Sequence, residues 1–349
     1  STSSDGINYS NVATTSVNSS SNEKIKIVEQ RHENPENIKY VKVTAVDNSI
    51  SKNKFTRIFK LSSNNTLEIG KIANENKTFN LKSSGTYYNP IVPKGFAPIN
   101  VGDAIWGSAD GWNNGLVIKD DNGNEFVWVP ATKSTYRKDT SFPGKAPTGD
   151  DTLPNGITDE TADVVKYGGF YIGRYEAGIP EEDTSPSNET GIPVSKKGAT
   201  VWTKINYTNS KASAESMISN EYVQTGLLTG KAWDTTCHFI EDSLSSINEL
   251  ASLKDSRYYG NYNNSLSPAN ENSGTKRTAG FNENWKVKNI YDLAGNVWEW
   301  TSEANSSDFI LRGGSSYGNG SGFPVSSRYN YIASSTDGYV GFRSRLYIK

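Results

Sequence analysis

Residues 289–303 read NIYDLAGNVWEWTSE, and few folds accept such a stretch. Gly295 and Asn296 suit a tight turn that needs unusual backbone angles. Past the turn, alternation puts Trp298 and Trp300 on one side of a strand, where both indoles can anchor a core. The chain then carries RGG at 312–314 and GFR at 341–343. Arg312 and Arg343 sit where a guanidinium can pin a loop through paired bonds to carbonyls or a carboxylate. Gly313, Gly314 and Gly341 let backbones approach closely, and Phe342 adds a ring to the scaffold.

Such corners matter because aliphatic residues are scarce. Hydrophobic residues make up 34% of the 349, so the 8 Trp, 19 Tyr and 12 Phe must supply much of the buried area. The 31 Gly, with many Asn and Ser, favour short strands, long loops and few helices. A formal net charge of −2, with no dense basic run, argues against nucleic acid as a partner. A lone cysteine, Cys237, excludes an intramolecular disulfide. No stretch has the apolar length of a membrane span. The start STSSDG is not a signal peptide, and the missing initial Met is expected of a chain processed or truncated from a longer one.

The length suits two domains. Residues 1–25 are rich in Ser, Asn and Thr and are expected to be disordered. Residues 26–62 hold two alternating runs, 38–48 and 54–61, that form a hairpin signal. They resemble the last two strands of a small β module of immunoglobulin-like or fibronectin-like type. Residues 63–86 read as a linker, and a larger domain is expected over 87–349. Within it, NEFVWVP (124–130) and YGGFYIGRYEAG (167–178) are expected as buried strands. Residues 209–220 and 229–244 are expected as helices, the first capped by Asn209 or Ser210, the second burying Trp233, Cys237 and Ile240.

FVWVP, FYIGRYEAG, the helix with Trp233, YDLAGNVWEW, RGG and GFR occur in that order. Together they resemble the formylglycine-generating-enzyme branch of the C-type-lectin-like fold. The resemblance implies an α+β domain, preceded here by the small β module. It also implies a structural calcium near the GNVWEW turn, held by the side chains of Asp292 and Glu299 and the carbonyls of Gly295 and Val297. Two carboxylates with backbone oxygens are sensible hard-cation chemistry. The plainer alternative is that Asp292 caps the turn and Glu299 pairs with an arginine.

Catalysis of the family's kind is not expected. The family's copper-binding cysteines lie between the RGG and GFR corners, where this chain has none. An iron-dependent branch uses histidines, and only His32 and His238 exist, in different expected domains. Cys237 and His238 are adjacent on a helix and point apart, so they do not form a nucleophile–base pair. No catalytic cofactor is expected.

The tail, 311–349, has an unusual alphabet. Residues 315–340 contain no Lys, Glu, Gln, Met or Trp, the five types that codons ending in a pyrimidine cannot encode. The stretch resembles the variable region of retroelement-diversified proteins, which use the same lectin-like fold and display rewritten side chains between similar corners. Tyr, Ser, Gly and Asn are also what paratopes favour. The resemblance implies ligand contacts from Ser315, Ser316, Tyr317, Asn319, Ser321, Phe323, Ser326, Ser327, Tyr329, Asn330, Tyr331, Ile332 and Tyr339. Arg328 is left as either scaffold or contact. The expected function is non-catalytic binding of a protein or glycan on a cell or phage-host surface, from an extracellular, cell-surface or virion location. The rivals are a divergent metal-dependent oxidase and an adhesin of fixed specificity.

Overall fold

The computed structural model describes residues 90–106, 111–144, 149–180, 188–266, 273–305 and 308–349, and the backbone of three earlier strands. The chain divides into two compact units, Ser1–Ile69 and Gly70–Lys349. In the first, β1 (Thr2–Ser3), β2 (Tyr40–Val46) and β3 (Lys54–Lys60) form one sheet in that order. β2 and β3 pair from Tyr40↔Lys60 to Val46↔Lys54, where the alternating sequence places a hairpin. Thr2 and Ser3, expected to be disordered, pair with the free edge of β2. The rest of segment 1–25 lies outside the described residues, as do residues 63–86, expected as a linker, and the remainder of residues 26–62, expected as an immunoglobulin-like module.

The second unit is mixed α+β and mostly sheet. It starts with β4 (Phe96–Ile99), β5 (Val117–Asp120) and β6 (Glu125–Pro130), then α1 (Glu160–Tyr167) and β7 (Gly169–Gly173). Next come α2 (Tyr207–Ser216), β8 (Val223–Leu227) and α3 (Gly230–Ile247). The short β9 (Lys286–Val287) and β10 (Ile290–Tyr291) pair with each other. They lead to β11 (Trp298–Asn305), β12 (Asp308–Arg312), β13 (Tyr329–Ile332), β14 (Val340–Phe342) and β15 (Ser344–Ile348). One sheet runs β4-β5-β6-β7-β15-β8, so the last strand lies inside it. A second runs β13-β12-β11-β14.

β6 shows how the larger sheet is covered on both faces. Phe126 and Trp128 pack with Tyr171, Leu346 and Ile348 on one side. Val127 and Val129 pack with Ile172 and the α3 residues Trp233, Cys237 and Ile240 on the other. In α3, Trp233, Cys237, Ile240 and Leu244 recur at helical spacing and are all buried. Thr229 caps α3 rather than opening it, its side chain accepting from Ala232 N.

Two helices differ from expectation. α2 starts earlier than 209, because Asn206 is the residue whose side chain reaches a free N–H, that of Asn209 at 2.9 Å. α1 was not expected at all, and Tyr167 ends it instead of opening a strand. Its apolar signal is short, but Asp159 caps its start and Gly168, at φ 79°, its end.

Candidate ligand-binding face

The turn before β11 is built as its sequence demands. Gly295 has φ +81°, and a Cβ there would lie 2.1 Å from the Asn261 carbonyl oxygen, so only glycine fits. Glu176 grips the turn from below: its carboxylate accepts from Asn296 Nδ2 at 2.5 Å and from Val297 N at 3.2 Å. From the turn β11 runs antiparallel to β12 and parallel to β14. Trp300 is fully buried and donates to the Ile205 carbonyl at 3.0 Å. Trp298 shares its side of the strand but is only half-buried, so it is less a core anchor than a part of the surface.

Three buried arginines hold this sheet. Arg343 gives Nη2 to Glu299 Oε1 at 2.7 Å and to the Tyr291 carbonyl at 2.8 Å, and Nη1 to the Gly173 carbonyl at 3.0 Å. Arg312 pairs with Asp234 of α3 and lies 3.5 Å from Glu303 of β11. Arg328 pairs with the same Asp234 and reaches Glu303 at 3.0 Å. Its Nη1 also donates to the Asp139 carbonyl at 2.9 Å. Burial pushes the Asp234 carboxyl up, and the two guanidiniums pull it back. Two cations against two anions make a square that is neutral as a whole, which is the condition for tolerating buried charge. Arg328 is thus scaffold, and the stretch from 312 to 328 is a loop closed on one acid pair.

On this frame the expected contact residues separate. Tyr317, Asn319, Ser321, Phe323, Tyr329, Ile332 and Tyr339 are exposed, and Asn330 and Tyr331 half-buried. Ser315, Ser316, Ser326 and Ser327 are buried, so their expected contact role is corrected. Ser326 Oγ donates to the Leu253 carbonyl at 2.6 Å, and the Ser315 carbonyl accepts from Gly318 N at 2.9 Å. These serines are spent on the loop's own folding.

The exposed rings form connected groups. Trp298 lies 5.6 Å from Phe323 and 5.5 Å from Tyr329, centroid to centroid. Tyr329 leads on to Tyr331 at 6.2 Å and Tyr331 to Trp300 at 5.6 Å. Tyr317 and Tyr339 meet at 5.5 Å. Of the five exposed aromatic side chains among the described residues, four are here: Tyr317 (74%), Phe323, Tyr329 and Tyr339; the fifth is Phe281.

The other candidate chemistry fares differently. Glu299 turns both carboxylate oxygens to Arg343, and Asp292 Oδ2 accepts from Gly280 N at 2.7 Å. Only Asp292 Oδ1 is a buried carboxylate oxygen without a partner there. With the Gly295 and Val297 carbonyls that is too few donors for a cation that takes six to eight oxygens, since Glu299 is already occupied by Arg343. The four residues do not fit calcium. Cys237 is fully buried on α3, and burial pushes its thiol up, away from a reactive thiolate. His238 faces Asp139 and Glu241 at 2.9 and 3.0 Å, and His32 lies outside the described residues.

Sequence reasoning missed Glu176, Asp234 and Glu303, the acids that hold the frame. Glu176 stands inside FYIGRYEAG and Glu303 ends the WEWTSE run, but nothing in their spacing names a partner.

No protein-family model and no curated protein matches the chain. Solved structures similar to it include PvdO from Pseudomonas aeruginosa, 17% identical over 66% of this chain and 97% of that one, with a TM-score of 0.40. CarF is 17% identical over 58% of this chain and 95% of that one, at a TM-score of 0.36. Treponema denticola variable protein 1 is 16% identical over 66% of this chain and 86% of that one, at a TM-score of 0.26.

Proposed function

We propose that the second unit is a C-type-lectin-like domain of the formylglycine-generating-enzyme type that binds a ligand without catalysis. Its C-terminal face is rewritten by a retroelement, and its ligand is a protein or glycan on a cell or host surface. The chain itself acts outside the cell, at a cell surface or on a virion. One observation carries the reading: exposed aromatic and small polar side chains gather on one face, while buried arginines fix the backbone beneath them. Such side chains supply rigid contact area and adaptable hydrogen bonds. Exchanging them leaves a buried frame untouched.

A macromolecular ligand is favoured over a small one. A cleft of about 440 Å³ is lined by Lys138, Asp151, Glu160 and Lys231, with no tail residue in its wall. The tail instead presents rings on an open surface.

The gene's 3′ end and its flanks, sequenced in several sibling isolates, test the proposal. The expected result is variation confined to the tail, with a nearby near-copy differing mainly at adenines. An invariant tail without such a copy overturns diversification and returns the face to a fixed ligand.

A further inference from the structure

The tail changes character twice along its length. Tyr317, Asn319, Ser321 and Phe323 face outward, with Gly320 buried among them and Ser316 buried just before them. The backbone here is held from below. Asn263 donates Nδ2 to the Tyr317 carbonyl at 2.8 Å and N to the Gly318 carbonyl at 3.0 Å. Ser256 N donates to the Gly320 carbonyl at 3.0 Å. These bonds use main-chain oxygens, so they do not depend on the side chain carried at 317 or 321. Asn319 differs: its Oδ1 accepts from Ser321 N at 2.9 Å and Gly322 N at 3.0 Å, and so shapes the turn.

Residues 324–328 are all buried. Val325 N accepts nothing but donates to Ser256 Oγ at 2.9 Å, and the Val325 carbonyl accepts from Trp233 Nε1 at 2.9 Å. Ser326 is tied to Leu253, and Arg328 to Asp234 and Glu303. After Arg328 the chain becomes β13, an edge strand, and side chains reach the surface again. Phe323 ends the first exposed segment and Tyr329 opens the second. Both rings meet on Trp298, which belongs to neither.

We infer that the face reads its ligand through two separate segments, 317–323 and 329–339, joined by the constant ring of Trp298. Residues 324–328 between them are frame and cannot be exchanged. The inference rests on the binding reading of this face, and it divides the tail into positions that select a ligand and positions that hold the selectors.

Two libraries of the full chain, displayed on yeast and challenged with protease, test it. One carries random pyrimidine-ending codons at Tyr317, Ser321, Phe323, Tyr329, Asn330, Ile332 and Tyr339. The other carries the same codons at Ser316, Val325, Ser326 and Arg328. Most members of the first are expected to resist protease like the parent, and about tenfold fewer of the second, because each buried change opens the frame. Equal survival of the two libraries, high or low, overturns the division. Sibling genes separate this outcome from the function itself. Variation at Val325 and Arg328 as frequent as at Tyr317 overturns the division and leaves diversification standing. A tail that never varies overturns diversification, and the protease result still decides the division.

Discussion

Arg312 and Arg328 share Asp234 and Glu303, so neither arginine can be removed without leaving a buried anion uncompensated. Arg328→Ala is expected to cost about 3–5 kcal/mol, read as a fall in Tm by calorimetry. Tyr317→Ser, at an exposed side chain three residues past Gly314 in the same loop, should change stability by about 0.5 kcal/mol or less. Asp151 carries a pH dependence. Burial pushes its carboxyl up to about 6, against Lys138 at 3.3 Å and the N–H of Gly230 at 3.0 Å. A raised folded pKa means that the folded chain holds a proton the unfolded chain has released. Stability is therefore lost as pH rises from about 4 to about 6. Asp151→Asn keeps an acceptor for Gly230 N–H and should flatten Tm against pH across that window.

Elements depend on their ends. The Thr229 hydroxyl accepts from Ala232 N at 3.1 Å and donates to Glu160 Oε2 at 2.8 Å, so it caps α3 and serves a buried carboxylate together. Thr229→Ala should cost about 2 kcal/mol in urea unfolding, with Thr229→Ser restoring most of it. The turn at Gly295 makes a different prediction. With Glu299 on Arg343, the melting temperature should be the same in calcium and in a chelator; a clear rise with calcium would show that the pair opens for the ion. Among the elements, β6, α3 and β11 were legible because their alternation or helical spacing is strong over several residues. α1 was not, since its two buried apolar side chains, Val164 and Tyr167, are too few to set a period. The serines were the least legible. Ser316 and Ser321 are alike in type and neighbourhood, and one is buried while the other is exposed.

At the scale of the whole molecule, the tail itself brings almost no charge to its face. Between 315 and 340 only Arg328 and Asp337 are ionisable at neutral pH, and Arg328 is buried. Binding through this face should therefore depend little on ionic strength. Affinity for a captured ligand, measured at low and high salt, is expected to change by less than about threefold. Among the described residues no helix is long and apolar enough to cross a membrane.

The sequence by itself determined the periodic elements, the Gly295–Asn296 turn, the corner arginines and the restricted alphabet of the tail. Each is written in neighbouring residues, and backbone sterics and side-chain period act over neighbours. Tertiary structure decided which carboxylates meet the arginines, which serines are buried, and that Trp298 joins two segments of the face. Those outcomes depend on residues far apart in the chain, such as Asp234 against Arg328. Only packing brings such groups together, and only burial makes their pairing obligatory.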